Sequence, residues 1–194
     1  MSQEKTMNPN ESLQLIQEMI ANSRKRYQKN NFYYLMWGWL LLISGITEYI
    51  LHQTFEYEQS WIVWPIQGIV GGIISFIYGA KASQKAQTTT ALDRIFTGLW
   101  VSFIVCLILM IVFTVTVHKT TPTPHVLLLT GLPTIVSGIA LKFKPLIIGG
   151  ILFWVFGVVS FVIPFEYSSI VFSVAILTGY IIPGYLLKNK ENNV

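Results

Sequence analysis

An all-α polytopic membrane protein, a six-transmembrane-helix bundle with an amphipathic N-terminal cytoplasmic helix, is predicted by three observations. Hydrophobic residues make up 53% of the 194 residues and charged residues 11%, with a mean hydropathy of +0.56. A soluble domain carries roughly 25% charged residues. The apolar residues gather in six runs, over 32–51, 61–80, 95–117, 125–141, 145–164 and 167–187. Most are close to the ~20 residues that span about 30 Å of hydrocarbon at about 1.5 Å per residue. When alternate loops are assigned to opposite faces, twelve of the thirteen Lys and Arg fall on one side and only Lys119 on the other. That asymmetry is the positive-inside pattern, and it predicts six spans with both termini in the cytoplasm. Continuous apolar runs exclude a transmembrane barrel, whose strands alternate over about ten residues.

The chain divides into a cytoplasmic tail (1–31), a membrane domain (32–187) and a second tail (188–194). Within the first tail, Asn8 caps a helix with Pro9 in its first position and Glu11 three residues after the cap, a capping box that satisfies otherwise orphaned amides. The helix is expected over about 9–27. It is amphipathic: Leu13, Ile16, Ile20 and Tyr27 share one side while Gln14, Gln17, Glu18, Arg24 and Lys25 are polar. Such a face suits a lipid surface or a cytosolic or membrane protein partner. The tail lacks the apolar core of a secretory signal, so the first span is expected to serve as an uncleaved anchor.

Arg24, Lys25, Arg26 and Lys29 fix the start of the first span on the inner side, and Glu56 and Glu58 occupy the loop that follows it. Trp61 and Trp64 open the second span at the height of an aromatic belt. Asp93 and Arg94 begin the third helix, the acid favoured by the helix dipole. Gly131, Pro133 and Gly138 interrupt the fourth span, Lys142 and Lys144 precede the fifth, and Pro183 interrupts the sixth. Cys106, the one cysteine, lies in the third span and reads as a small core residue with no disulfide or zinc role. The net charge of +4 follows membrane topology, which argues against nucleic acid as a partner.

The ends of the fourth and sixth spans are alike, 135–144 aligning without gaps on 181–190. Gly38, Gly45, Glu48 and His52 also share their spacing with Gly150, Gly157, Ser160 and Pro164. These matches suggest three repeated hairpins. The segment from Gly131-Leu132-Pro133-Thr134 to Gly149-Gly150, with Glu11-Ser12-Leu13 and Trp37-Gly38-Trp39, resembles a family of small uncharacterised bacterial six-span membrane proteins. The resemblance implies a bacterial cytoplasmic membrane, and it carries over no activity and no functional residue.

Ionisable and polar groups inside the spans are the places to look for function. Glu48 lies on the Gly38–Gly45 side of the first span, which is expected to face the bundle, with His52 one turn on; together they form a candidate ion or ligand site. In the second span Gln67, Gly71, Ser75 and Gly79 recur every fourth residue, a stripe for close packing in which Gln67 either reaches an interhelical hydrogen bond or lines a cavity. Pro133 and Pro183 are expected to break the fourth and sixth helices and free carbonyls beside Thr134, Ser137 and Tyr180, an arrangement seen at transporter sites. His52, His118 and His125 fall on the outer side without metal-ligand spacing, and no metal or other cofactor is expected. No phosphate loop, nucleophile elbow or zinc-protease motif is present, so an enzyme is not expected. The sequence points to a non-enzymatic membrane component or interaction subunit, which could self-associate, or alternatively to a transporter or channel for a small solute or ion.

Overall fold

The computed structural model describes residues 8, 10–15, 17–19, 32–85 and 91–192, with the backbone alone at 82–85, 91 and 190–192. Among the described residues the secondary structure is helical. The main elements are α1 (Phe32–Gln53), α2 (Val63–Lys85), α3 (Ala91–Phe113), α4 (Thr123–Ala140), α5 (Lys144–Val159), α6 (Ser168–Ile176) and α7 (Ile182–Asn192). Short 3₁₀ turns at Ser60–Ile62 and Phe165–Tyr167 lead into α2 and α6. Among the described residues, five segments are long and apolar enough to cross a membrane: Phe32–Gln53, Ser60–Lys81, Leu92–His118, Thr123–Ala140 and Phe165–Asn189. The expected fifth span, 145–164, is the departure. Its helix α5 stops at Val159 after 16 residues, about 24 Å of rise. Ser160 donates its hydroxyl to the Phe156 carbonyl at 2.8 Å, and the backbone then turns with 3.1 Å bonds from Phe161 and Val162 to Val158 and Val159. Apolar side chains continue through this turn, so hydropathy does not mark the helix end.

At the N-terminal end, residues 10–15 and 17–19 are helical, and the remainder of the expected helix falls outside the described residues. The Asn8 amide donates to the Glu11 carboxylate at 3.3 Å, the Asn10 amide to the Asn8 side-chain oxygen at 3.4 Å, and the Ser12 amide to the Asn8 carbonyl at 3.1 Å. Those three bonds are a reciprocal cap.

The bundle is organised by its last span. α6, the π turn Leu177–Ile181 and α7 together pack against α1 on one side and α4 and α5 on the other. α2 packs chiefly on α1, and α3 chiefly on α4. Only 6% of the α3 span is buried, against 56% of the last span. Cys106 is accordingly exposed and not in the core, because most of α3 faces outward. The core has an upper cluster of Leu127, Phe153, Phe172, Ala175, Ile176 and Tyr180, and a second cluster of Phe96, Leu141, Phe143, Leu146 and Leu187 at the end where α4 turns into α5.

Glycines set the helix separations. α4 and α5 cross backbone to backbone: a Cβ on Gly131 would come within 2.8 Å of the Gly150 carbonyl oxygen, and one on Gly150 within 2.9 Å of that of Gly131. Small residues are what allow helices to approach this closely in lipid, where apolar burial supplies no drive between them. Both parts of the suggested repeat place comparable residues alike. Gly138 and Gly184 each meet a neighbouring helix, and Leu141 and Leu187 are both buried in the same cluster. The two segments end differently, however, since α4 stops at Ala140 while α7 continues to Asn192.

α4 ends in a Schellman arrangement. The Phe143 amide bonds to the Gly138 carbonyl at 2.9 Å and the Lys142 amide to that of Ile139 at 3.0 Å, with Lys142 left-handed at φ 51°. Glycine is the residue that adopts this conformation without a Cβ penalty. Lys142→Gly is therefore expected to raise unfolding stability by up to about 1 kcal/mol, as read from detergent-denaturation midpoints.

Candidate functional site

The centre of the bundle is built where α4, the π turn and α1 converge. Pro183 has no amide proton, so the Gly179 carbonyl, four residues earlier, has no α-helical partner. The chain widens there instead: Ile182 donates to the Leu177 carbonyl five residues back. Gly179 lies against Gly149 of α5, where a Cβ would fall 2.6 Å from the Gly179 oxygen. The expected break in the sixth helix is thus a π turn. The fourth helix is not broken: α4 runs continuously through Pro133 from Thr123 to Ala140. Its backbone carbonyls find side chains, Thr130 donating to Val126 at 2.6 Å and Thr134 to Thr130 at 2.7 Å.

These elements bring Thr134, Ser137 and Tyr180 together. Thr134 and Ser137 are 0% exposed and Tyr180 5%. The Thr134 and Tyr180 hydroxyls lie 3.4 Å apart, a long hydrogen bond across helices. Tyr180 is held between two rings, 4.9 Å from Phe153 and 6.0 Å from Tyr34 by centroid, both edge-on. The Ser137 hydroxyl is buried without a hydrogen-bond partner, and its electrostatic neighbour is the hydroxyl of Tyr34. Tyr34 was not singled out from sequence, although its i, i+4 relation to Gly38 places it on the packed face of α1. Hydroxyls alone make this cluster, so it offers hydrogen bonds and no carboxylate or imidazole for acid–base chemistry.

Glu48 sits apart from that cluster, towards the other end of α1. Its carboxylate accepts a 2.6 Å hydrogen bond from Ser169 of α6, and Ser173 in turn donates to the Ser169 carbonyl at 2.8 Å. Gly45 makes this approach possible, since a Cβ there would strike Ser173. The expectation that the Gly38–Gly45 side faces the bundle holds at both glycines, Gly38 meeting Ile181 and Tyr180. His52 does not pair with Glu48; its ring stands edge-on to Phe165, 6.0 Å away. His118 and His125 each face a different phenylalanine in the same way, Phe113 at 4.9 Å and Phe161 at 5.2 Å. The three imidazoles are thereby dispersed over separate elements and do not converge.

Gln67 is 8% exposed, with its amide nitrogen buried and unpartnered. It therefore lacks the interhelical hydrogen bond the stripe suggests. The rest of that stripe packs α2 onto α1 as expected. Gly71 lies under the Trp37 ring, and the Trp37 indole donates to Ser75 at 3.1 Å. Comparison of the chain with protein-family models, curated proteins and solved structures finds no match.

Proposed function

We propose that this protein is a non-enzymatic component of a bacterial cytoplasmic membrane, with α5 completing a six-span topology and both ends in the cytoplasm. Its inner face and N-terminal helix would engage a protein or the lipid surface. The observation that carries this reading is the filled bundle centre. Thr134, Ser137 and Pro183 are buried where α4, α5 and the π turn meet through glycines, and Gly149 and Gly179 touch backbone to backbone. A translocation path through that region would have to part those contacts. At the N-terminal end Leu13, Leu15 and Met19 are 58%, 46% and 54% exposed, which supports a surface role for that helix. The five apolar helices long enough to cross a membrane, found among the described residues, and the distribution of cations support the membrane setting.

Transport of a small solute has one observation in its favour: Gln67 and Ser137 carry buried polar atoms without partners, and such groups are retained where a ligand or water completes them. Flux into liposomes reconstituted with the full chain separates the readings. The expected result is flux of small neutral solutes and monovalent ions equal to protein-free vesicles, unchanged in Ser137→Val. Flux above that background, lost about tenfold or more in Ser137→Val, would replace the interaction reading with transport. Reporter fusions in the turns holding Glu56 and Glu166 are expected to lie outside, and an inside signal from either would overturn the topology.

A further inference from the structure

Beside the start of α1 and the end of α7 lies an open groove of about 420 Å³ lined by Phe32, Leu35, Met36, Trp39, Tyr185 and Lys188. The four α1 residues recur at i, i+3, i+4 and i+7, which makes them one continuous wall. A Cβ on Gly184 would fall 2.8 Å from Leu35, so the two helices meet closely beside the groove. Trp39 and Tyr185 stay 44% and 42% exposed.

We propose that this groove holds an anionic glycerophospholipid, its phosphate on Lys188 and an acyl chain along Phe32, Leu35, Met36 and Trp39. The chemistry of the lining is what recognises such a ligand. An apolar wall, two aromatic side chains with polar ends and a single cation reproduce, in one groove, the graded polarity of the bilayer interface. The ammonium of Lys188 is a point charge suited to phosphate. Charge complementarity favours an anionic headgroup over a zwitterionic one. Among the described residues Lys188 is the one charge that lines the groove, and its side chain is exposed. Because the groove opens on the outside of the bundle, a lipid enters it sideways. The acyl chain gains little from leaving other acyl chains, so selectivity rests on the headgroup.

The inference rests on the membrane placement proposed above. The test is native mass spectrometry of the full chain released from nanodiscs of equal phosphatidylglycerol and phosphatidylcholine. The wild-type protein is expected to retain phosphatidylglycerol preferentially. Lys188→Gln should lower that preference about fivefold, the factor one cation near an anionic surface supplies. Lys144→Gln, an exposed cation outside the groove, should change it by less than about twofold. Met36→Trp, which fills the groove, should reduce retention of both lipids, and inorganic phosphate should not displace the bound lipid. Equal losses in Lys188→Gln and Lys144→Gln, or displacement by phosphate, would overturn the site. Cross-linking from position 36 to a second copy or to the N-terminal helix in place of lipid would do the same. Lipid retention without preference overturns the site alone, whereas a chain monodisperse in buffer without detergent overturns the membrane reading with it.

Discussion

Gly149→Val is expected to lower unfolding stability by about 3 kcal/mol or more, the upper range for overpacking a filled interior. Even a Cβ at this position would stand 2.6 Å from the Gly179 carbonyl oxygen and 3.1 Å from its Cα, and both are backbone atoms that no rotamer change can move. Gly179 is in turn pinned by the Phe153 ring and by the π turn that accommodates Pro183. The substitution would therefore push α5 away from the last span along its length. Gly72→Val is the matched control, because a Cβ there meets nothing within 4 Å. It should shift stability by less than about 0.5 kcal/mol. Titration with a denaturing detergent, followed by far-ultraviolet circular dichroism, measures both. Equal effects at the two positions would show that α5 and the π turn are not in contact.

Phe153→Ala is the second large effect, and its size depends on the solvent. In a soluble protein the loss combines a transfer term with a vacancy term, but lipid is as apolar as the interior, which leaves mainly the vacancy. A lost phenyl ring of roughly 100 Å³ at about 24 cal/mol per Å³ gives about 2.4 kcal/mol. The edge-on contact with Tyr180, 4.9 Å between centroids, adds about 0.5–1.5 kcal/mol. A loss of about 3 kcal/mol is expected in the same detergent titration. Val158→Ala, at a site 60% exposed, should cost no more than about 0.5 kcal/mol. A Phe153→Ala value equally small would mean that the ring is not enclosed.

The places of the helices were legible because hydropathy reports the medium. α2 packs on α1 through the Gly71 and Ser75 stripe that four-residue spacing marks. Which side of each helix faces inward was harder to read, since a lipid-facing and a bundle-facing residue are both apolar. α3 shows this most clearly: it is a continuous apolar run, yet 6% buried, and its Cys106 points out. The last span, interrupted by Ser173, Thr178, Gly179 and Pro183, is the best buried. In lipid, small and hydroxylated residues are the better signal of an interior.

The polar contacts were legible only in part. Glu48 was marked by its charge, but Ser169, its partner 121 residues away, carries no local signature. Tyr34 was obscured because a tyrosine near a span's end also serves as an interfacial anchor. The π turn follows from Pro183, whereas the proline at 133 leaves α4 intact. Each proline leaves the carbonyl four residues back without its α-helical donor, yet the last helix answers by shifting to an i+5 bond at Leu177 while α4 keeps its α-helical course. Sequence shows the proline in both cases and not the response.

The last span touches α1, α4 and α5, and α1 meets the α4–α5 hairpin chiefly through it, so the segment that comes last among these helices is the one that joins them. Without it, α1 with α2 and α3 with the α4–α5 hairpin form two groups that have few contacts with each other. A truncation ahead of Phe165 would therefore leave two separate groups of helices with nothing to dock them on each other.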